Sequence, residues 1–260
     1  MKKLITRIIL VLSFIAGMLY SSESFYQFFR FRGVSFYSLA LVSDDLFWKR
    51  IDPISHRLWP FLMIRSSKIE KSLMSVAPVS VDIEMTSPGF FKVDFLPLEP
   101  WFLVFWSGGE WFLSREGRMW SVHHSLNNII SGQEAIEGPV LVWGEDLSDP
   151  VPAGMDFENS VVDSSLPMGE ILSWKDALVK TGFYPRVSSV TVRKREGRRI
   201  IEILERTGSG SIRILLADTT ENWKTLFDAV DEILSQPGVS GKNLVLDTTY
   251  TGRILVRVIS

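Results

Sequence analysis

The stretch Pro78–Trp120, PVSVDIEMTSPGFFKVDFLPLEPWFLVFWSGGEWFLSREGRMW, carries the reading of the fold. Val79, Val81, Ile83 and Met85 alternate with Ser80, Asp82, Glu84 and Thr86, and that period of two marks a half-buried strand. Pro88-Gly89 turns the chain, and Phe91, Val93 and Phe95 repeat the alternation on a second strand. Trp101–Trp106 is continuously apolar, which predicts a strand buried on both faces. Ser107-Gly108-Gly109 leads into Glu110–Ser114, and Glu116-Gly117 marks another hairpin tip.

Upstream of this stretch, Val34–Val42 reads as a strand. Ser43 reads as the N-cap of a short helix through Trp48 that Pro53 ends. Ser67 and Glu70 form a capping-box pattern for the next helix, with Ile69, Leu73 and Val76 on one face and Pro78 as its stop. The order is therefore strand, helix, helix, strand, strand.

Downstream, Gly138–Gly144 carries a short apolar run, and Gly144–Ser165 reads as a long loop rich in Pro, Gly and Asp. Pro167, near an N1 position, opens a helix carrying Ile171, Trp174 and Leu178, with Gly182 past its end. Val187–Lys194, Arg199–Glu205 and Ser211–Leu216 are three strands joined at Glu196-Gly197 and Gly208-Ser209-Gly210. Asp218 and Glu221 suit a capping box for a helix over Thr219–Ser235. Trp223, Leu226, Phe227, Val230, Ile233 and Leu234 form its apolar stripe. Asn243–Asp247 and Arg253–Ile259 are closing strands, so a mixed sheet with one long packed helix makes this half α+β.

The 260 residues suffice for two small domains, and 46% hydrophobic content suffices for packed cores. A net charge of −2 gives no basic field for nucleic acid. With no cysteine, disulfides and thiolate metal sites are excluded. The N-terminal MKKLITRIILVLSFIAGMLYSSES places Lys2, Lys3 and Arg7 ahead of an apolar run of about 17 residues, roughly 25 Å of helix. A cut after Ser24 is only weakly of the small-x-small type, so a retained transmembrane anchor is favoured over a signal peptide. Ile8, Leu10, Leu12, Phe14 and Leu19 would face lipid, and the basic flank would hold the N-terminus in the cytoplasm. Phe and Tyr in Ser24–Arg32 suit a juxtamembrane belt.

The order and spacing of Pro78-Val79, Pro88, Glu99-Pro100 and Glu116-Gly117 resemble the FtsQ/DivIB family of bacterial cell-division proteins. Gly138-Pro139-Val140-Leu141-Val142-Trp143-Gly144 resembles that family's Leu-Pro-x-Leu-x-Gly segment. Leu246–Gly252 resembles its final Asp-x-Arg-Tyr strand, with Thr249 where the family has Arg. The resemblance implies a transmembrane helix within residues 1–22, a POTRA-like βααββ domain within 23–97, and an FtsQ/DivIB-like β domain over 98–260. It implies a divisome scaffold and not an enzyme, with no cofactor, metal or nucleic acid. The scaffold would be single-pass in the bacterial inner membrane at the septum, its C-terminal domains outside. FtsB- and FtsL-like proteins would be its partners, alongside the lipid bilayer and the septal peptidoglycan synthesis proteins.

Candidate chemistry is sparse. His123-His124 would point to opposite faces of a strand, and His56 is distant in sequence, so a convergent metal site is disfavoured. Asp146, Asp149 and Asp156 share a loop but lack calcium-loop spacing. Ser72 and Ser75 have no His and Asp arrangement beside them. Trp101, Trp106, Trp111 and Trp143 lie in apolar segments and read as core, whereas Trp120 at a strand end is the most open ring. Exposed Trp would suit a different reading, a secreted or anchored carbohydrate-binding module of the cell wall.

The last strand is apolar on both faces, with Ile254, Val256 and Val258 alternating with Leu255, Arg257 and Ile259. The pattern alone fits an ordinary central strand and an open edge equally; an open edge would need a partner. The resemblance favours the edge, implying that a strand of an FtsB-like protein adds there by β-augmentation. Tyr250, Gly252, Arg253, Ile254, Leu255, Val256, Arg257 and Val258 are the expected partner-binding residues.

Overall fold

A computed structural model of the chain describes residues 9–15, 23–37, 40–130, 138–152, 156, 159–207, 210–217, 223–236, 238–239, 242–250 and 252–259. The chain divides into two units, Met1–Leu98 with Leu126–Gly132, and Glu99–Ser125 with Gln133–Ser260. It is α+β with mixed sheets.

The expected transmembrane helix is overturned. Among the described residues no helix is long and apolar enough to cross a membrane. Among the described residues there, 9–15 are helical and belong to α1. Leu10 of this helix packs against the core of the first unit, and the Phe14 ring lies edge-on to Phe29 and Phe61 at 5.8 and 5.5 Å. Leu12 is exposed, while Ile8 and Leu19 lie outside the described residues.

The first unit continues with α2 (Glu23–Phe29), β1 (Gly33–Tyr37), α3 (Ala40–Arg50), α4 (Pro53–Arg57), α5 (Trp59–Met74), β2 (Val79–Ser87), β3 (Phe90–Pro97) and α6 (Asn127–Ile130). Between β1 and β2 run three helices where two were expected. Pro53 starts a helix, because a proline at the first helical position loses no hydrogen bond. Asp52 caps that helix, accepting from the backbone N–H groups of Ile54 and Ser55 at 3.1 and 3.0 Å. Desolvation opposes its charge, but the Ser55 hydroxyl at 2.8 Å, the Ser55 backbone N–H and Arg65 outweigh it and hold the Asp52 carboxyl far below its usual range. α5 begins eight residues ahead of the expected Ser67 cap, with Pro60 in its first turn. Glu70 does not cap the helix: its Oε1 accepts the Ile83 backbone N–H at 3.1 Å and ties α5 to β2.

β3 is central in this three-stranded sheet, antiparallel to β2 and parallel to β1. Val79, Val81, Ile83, Phe91, Val93 and Phe95 turn inward and meet Leu62, Ile69 and Leu73 of α5. Gly89, at φ +84, allows the tight turn between β2 and β3; a Cβ there would come within 2.8 Å of the Arg30 carbonyl oxygen.

The second unit contains β4 (Pro100–Trp106), β5 (Gly109–Ser114), β6 (Arg118–Ser121), β7 (Val140–Trp143), β8 (Val161–Asp163), α7 (Met168–Lys180), β9 (Val187–Arg195), β10 (Arg198–Thr207), β11 (Gly210–Ala217), α8 (Trp223–Leu234), β12 (Asn243–Asp247) and β13 (Leu255–Ile259). These strands form one sheet in the order β13-β12-β11-β10-β9-β7-β4-β5-β6-β8. β7 sits between β4 and β9, parallel to both. β4 is not buried on both faces as expected: Phe102 and Val104 are buried, while Phe105 on the alternate face is exposed. Phe227 and Val230 of α8 and Ile171, Trp174 and Leu178 of α7 cover the core side of the sheet. The Asp218 and Glu221 cap pattern lies outside the described residues.

Candidate partner-binding edge

β13 ends the ten-stranded sheet. It is antiparallel to β12, with Asn243 opposite Ile259, Leu244 opposite Val258, Val245 opposite Arg257, Leu246 opposite Val256, and Asp247 opposite Leu255. Among the described residues no strand pairs with its outer side. An outermost strand leaves a row of its backbone N–H and C=O groups without ladder partners.

Facing residues of an antiparallel pair share a side of the sheet. Val256 and Val258 therefore lie on the side of Leu246 and Leu244, which are buried at 0% and 1% exposure. Yet Val256 is 43% exposed and Val258 61%. The apolar core face thus runs one strand beyond its cover. On the other side, Arg257 and Ile259 are exposed and Leu255 is half-buried.

Asp247 fixes this last pair of strands. Its carboxylate is buried, and it accepts from the Thr249 hydroxyl at 2.6 Å, the Thr249 backbone N–H at 3.2 Å, Arg195 at 3.1 Å and Arg257 at 3.4 Å. Desolvation would raise its pKa, but the Thr249 hydrogen bonds and the Arg195 guanidinium outweigh it and hold the group below its ordinary value. Thr249, at the position where an Arg was expected by resemblance, closes an Asx-type turn on Asp247. Arg195 comes from the β9–β10 hairpin, where Glu196 and Gly197 both have positive φ, as a two-residue type I′ turn requires.

The predicted partner-binding residues divide into two groups. Leu255, Val256, Arg257 and Val258 lie on β13; Tyr250, Gly252, Arg253 and Ile254 lie on the connection before it. Tyr250 is 41% exposed, with the Arg253 guanidinium 5.2 Å from its ring centre. Gly252, at φ +75, sits in open space, and Ile254 packs against the core. Sequence reasoning left out exposed Ile259 and the Asp247–Arg195 contact. Ile259 continues the alternation, whereas nothing local signals a contact 52 residues apart in sequence.

No protein-family model matches this chain, and no curated protein does.

The other candidates are dispersed. His123 is exposed, while His124 is buried. His56 lies beside Trp48 and Phe31. Asp146 accepts the Lys194 backbone N–H, so it serves the fold. Among the described residues no group of three or more His, Asp or Glu side chains could hold a metal. Trp120, expected to be the most open ring, is 1% exposed; across the strands it faces Phe112 of β5 and Val161 of β8, with the Phe112 ring centre 5.7 Å away. Trp143 is buried and donates to the Ser148 carbonyl at 2.9 Å. Trp101 is half-buried beneath the Lys175 ammonium, 4.0 Å from its ring centre. Burial is the main cause that pushes Lys175 down to about 8, with Arg115 adding to it.

Proposed function

We propose that this chain is a division scaffold resembling FtsQ/DivIB, whose β13 edge receives a strand from an FtsB- or FtsL-like partner. One observation carries the reading: β13 is outermost in the sheet and presents Val256, Val258 and Ile259 to solvent. Strand addition supplies affinity through backbone hydrogen bonds and specificity through alternate side chains, and it requires no chemistry from the scaffold. In this reading the protein is not an enzyme. It acts at the septum on the extracytoplasmic side of the bacterial cell membrane, alongside the machinery of septal wall synthesis.

The test is amide hydrogen exchange on the full chain, with and without an FtsB-like strand peptide. Added protection at residues 255–259 supports the reading. Protection confined to other segments, or none at saturating peptide, removes it. In cells, depletion of the protein should give filaments that fail to septate.

A further inference from the structure

The tip of the β4–β5 hairpin holds a cavity of about 490 Å³ that strand addition at β13 does not use. Trp106 and Trp111 wall it. Trp106 faces Gly109 and Val104 faces Trp111 across the hairpin, so both indoles fall on one side. Their ring centres are 6.0 Å apart and their planes inclined at 52°, which makes an open V rather than a closed box. Trp111 is 6% exposed and anchored in the core, whereas Trp106 is half-buried and only packs against it.

The turn keeps the trough clear. Ser107 and Gly108 have φ of 49° and 73°, a type I′ pair that reverses the chain in two residues. A Cβ on Gly108 would meet nothing within 4 Å, and one on Gly109 would come 3.1 Å from the Trp111 Nε1. Ser121, which faces Trp111, and exposed His123 complete the lining and supply polar groups. The Ser121 Oγ accepts the His123 backbone N–H at 3.1 Å, which fixes the position of that wall.

An aromatic face beside hydroxyl and imidazole groups has two requirements of a ligand. One side must be a sheet of C–H groups that can lie on an indole, and the edge must carry hydroxyls. A flat hydrocarbon would leave the polar wall unmatched. A quaternary cation is better held by a box of rings than by two planes open at 52°. We propose that this trough binds a pyranose residue of an equatorially linked glycan, stacked on Trp106 with its hydroxyls toward Ser121 and His123. Equatorial linkage lets such a chain run across an open trough with a flat face on each residue. This inference is independent of the β13 reading.

Chitotetraose and cellotetraose, titrated separately into the full chain with labelled tryptophans, test it. The indole N–H resonances of Trp106 and Trp111 should shift with at least one probe, while those of buried Trp59 and Trp174 stay in place. A shift with chitotetraose alone assigns an acetamido contact; a shift with cellotetraose, alone or as well, shows that the ring face and hydroxyls suffice. Trp106→Ala should weaken binding about tenfold. His123→Ala, at an exposed position, should weaken it about threefold or more without unfolding, and it decides the matter if Trp106→Ala does not fold. Static Trp106 and Trp111 resonances at millimolar concentrations of both probes overturn the site. So does undiminished binding in His123→Ala together with a folded Trp106→Ala.

Discussion

Arg257, on the outermost strand, donates to the buried carboxylate of Asp247 at 3.4 Å, on the strand beside it. The same carboxylate holds Arg195 at 3.1 Å, so one acid ties the edge to the β9–β10 hairpin. A buried acid with these partners is costly to neutralise.

Asp247→Asn keeps an acceptor for Thr249 but removes the charge, and it should cost about 2 kcal/mol at pH 7 in urea unfolding. The folded-state pKa lies below the unfolded one. The wild-type advantage is therefore complete above about pH 4 and disappears as pH falls through the folded value. Urea midpoints of both proteins across that acid range should converge; a constant gap would place the cost elsewhere.

Proline at Leu255 or Val256 tests the edge itself. Successive amides of a strand point to opposite sides, so one of the two substitutions removes an outward donor and the other an inward one. The outward variant should retain its melting temperature and bind an FtsB-like peptide at least about tenfold more weakly. The inward variant should lose stability. If both stay folded and bind as tightly as the parent, the interface lies off β13.

Lys175 gives a pH dependence of the same sign at the alkaline end of the range. An unfolded lysine keeps its proton to about pH 10.4, while Lys175 in the fold releases it at about 8. Between those values the unfolded chain binds more protons, so stability rises with pH. Lys175→Met should lack this rise, amounting to about 1 kcal/mol or somewhat more after allowing for solvent access and for the ring faces that favour the cation. Urea midpoints from pH 7 to pH 10 measure it. Parallel curves for the two proteins would mean that Trp101 and Phe102, at 4.0 and 4.5 Å, hold the charge without penalty.

Trp120→Ala should destabilise the second unit by about 3–5 kcal/mol, since the side chain is almost wholly enclosed. A change below about 1 kcal/mol in thermal or urea unfolding would contradict that burial.

The alternation in Val79–Met85 and Phe91–Phe95 was legible because each strand has one buried face and one wet face. Position alone misled at Trp120, whose ring is enclosed although local sequence leaves it at a strand end. Pro53 carries the same local signal whether it stops one helix or starts another, and only the cap from Asp52 distinguishes them. Ser67 and Glu70 have capping-box spacing, but that spacing also occurs inside a helix, and here Glu70 is used by β2. The placement of β7 between β4 and β9 depends on parallel pairings that no short window contains. At the candidate site the apolar run of β13 could be read, while the Arg195 contact that steadies it could not.

The two ends of the long sheet differ. β8 offers three residues, Val161–Asp163, whereas β13 offers five with bare apolar side chains. Growth by strand pairing is therefore one-directional. If two copies met β13 to β13 in antiparallel fashion, the contact would be isologous and close on itself as a dimer, with the β13 edge of each copy used up. A molecule built this way can exchange a copy of itself for a partner strand, and a β13–β13 pair leaves neither copy of that strand free to add another.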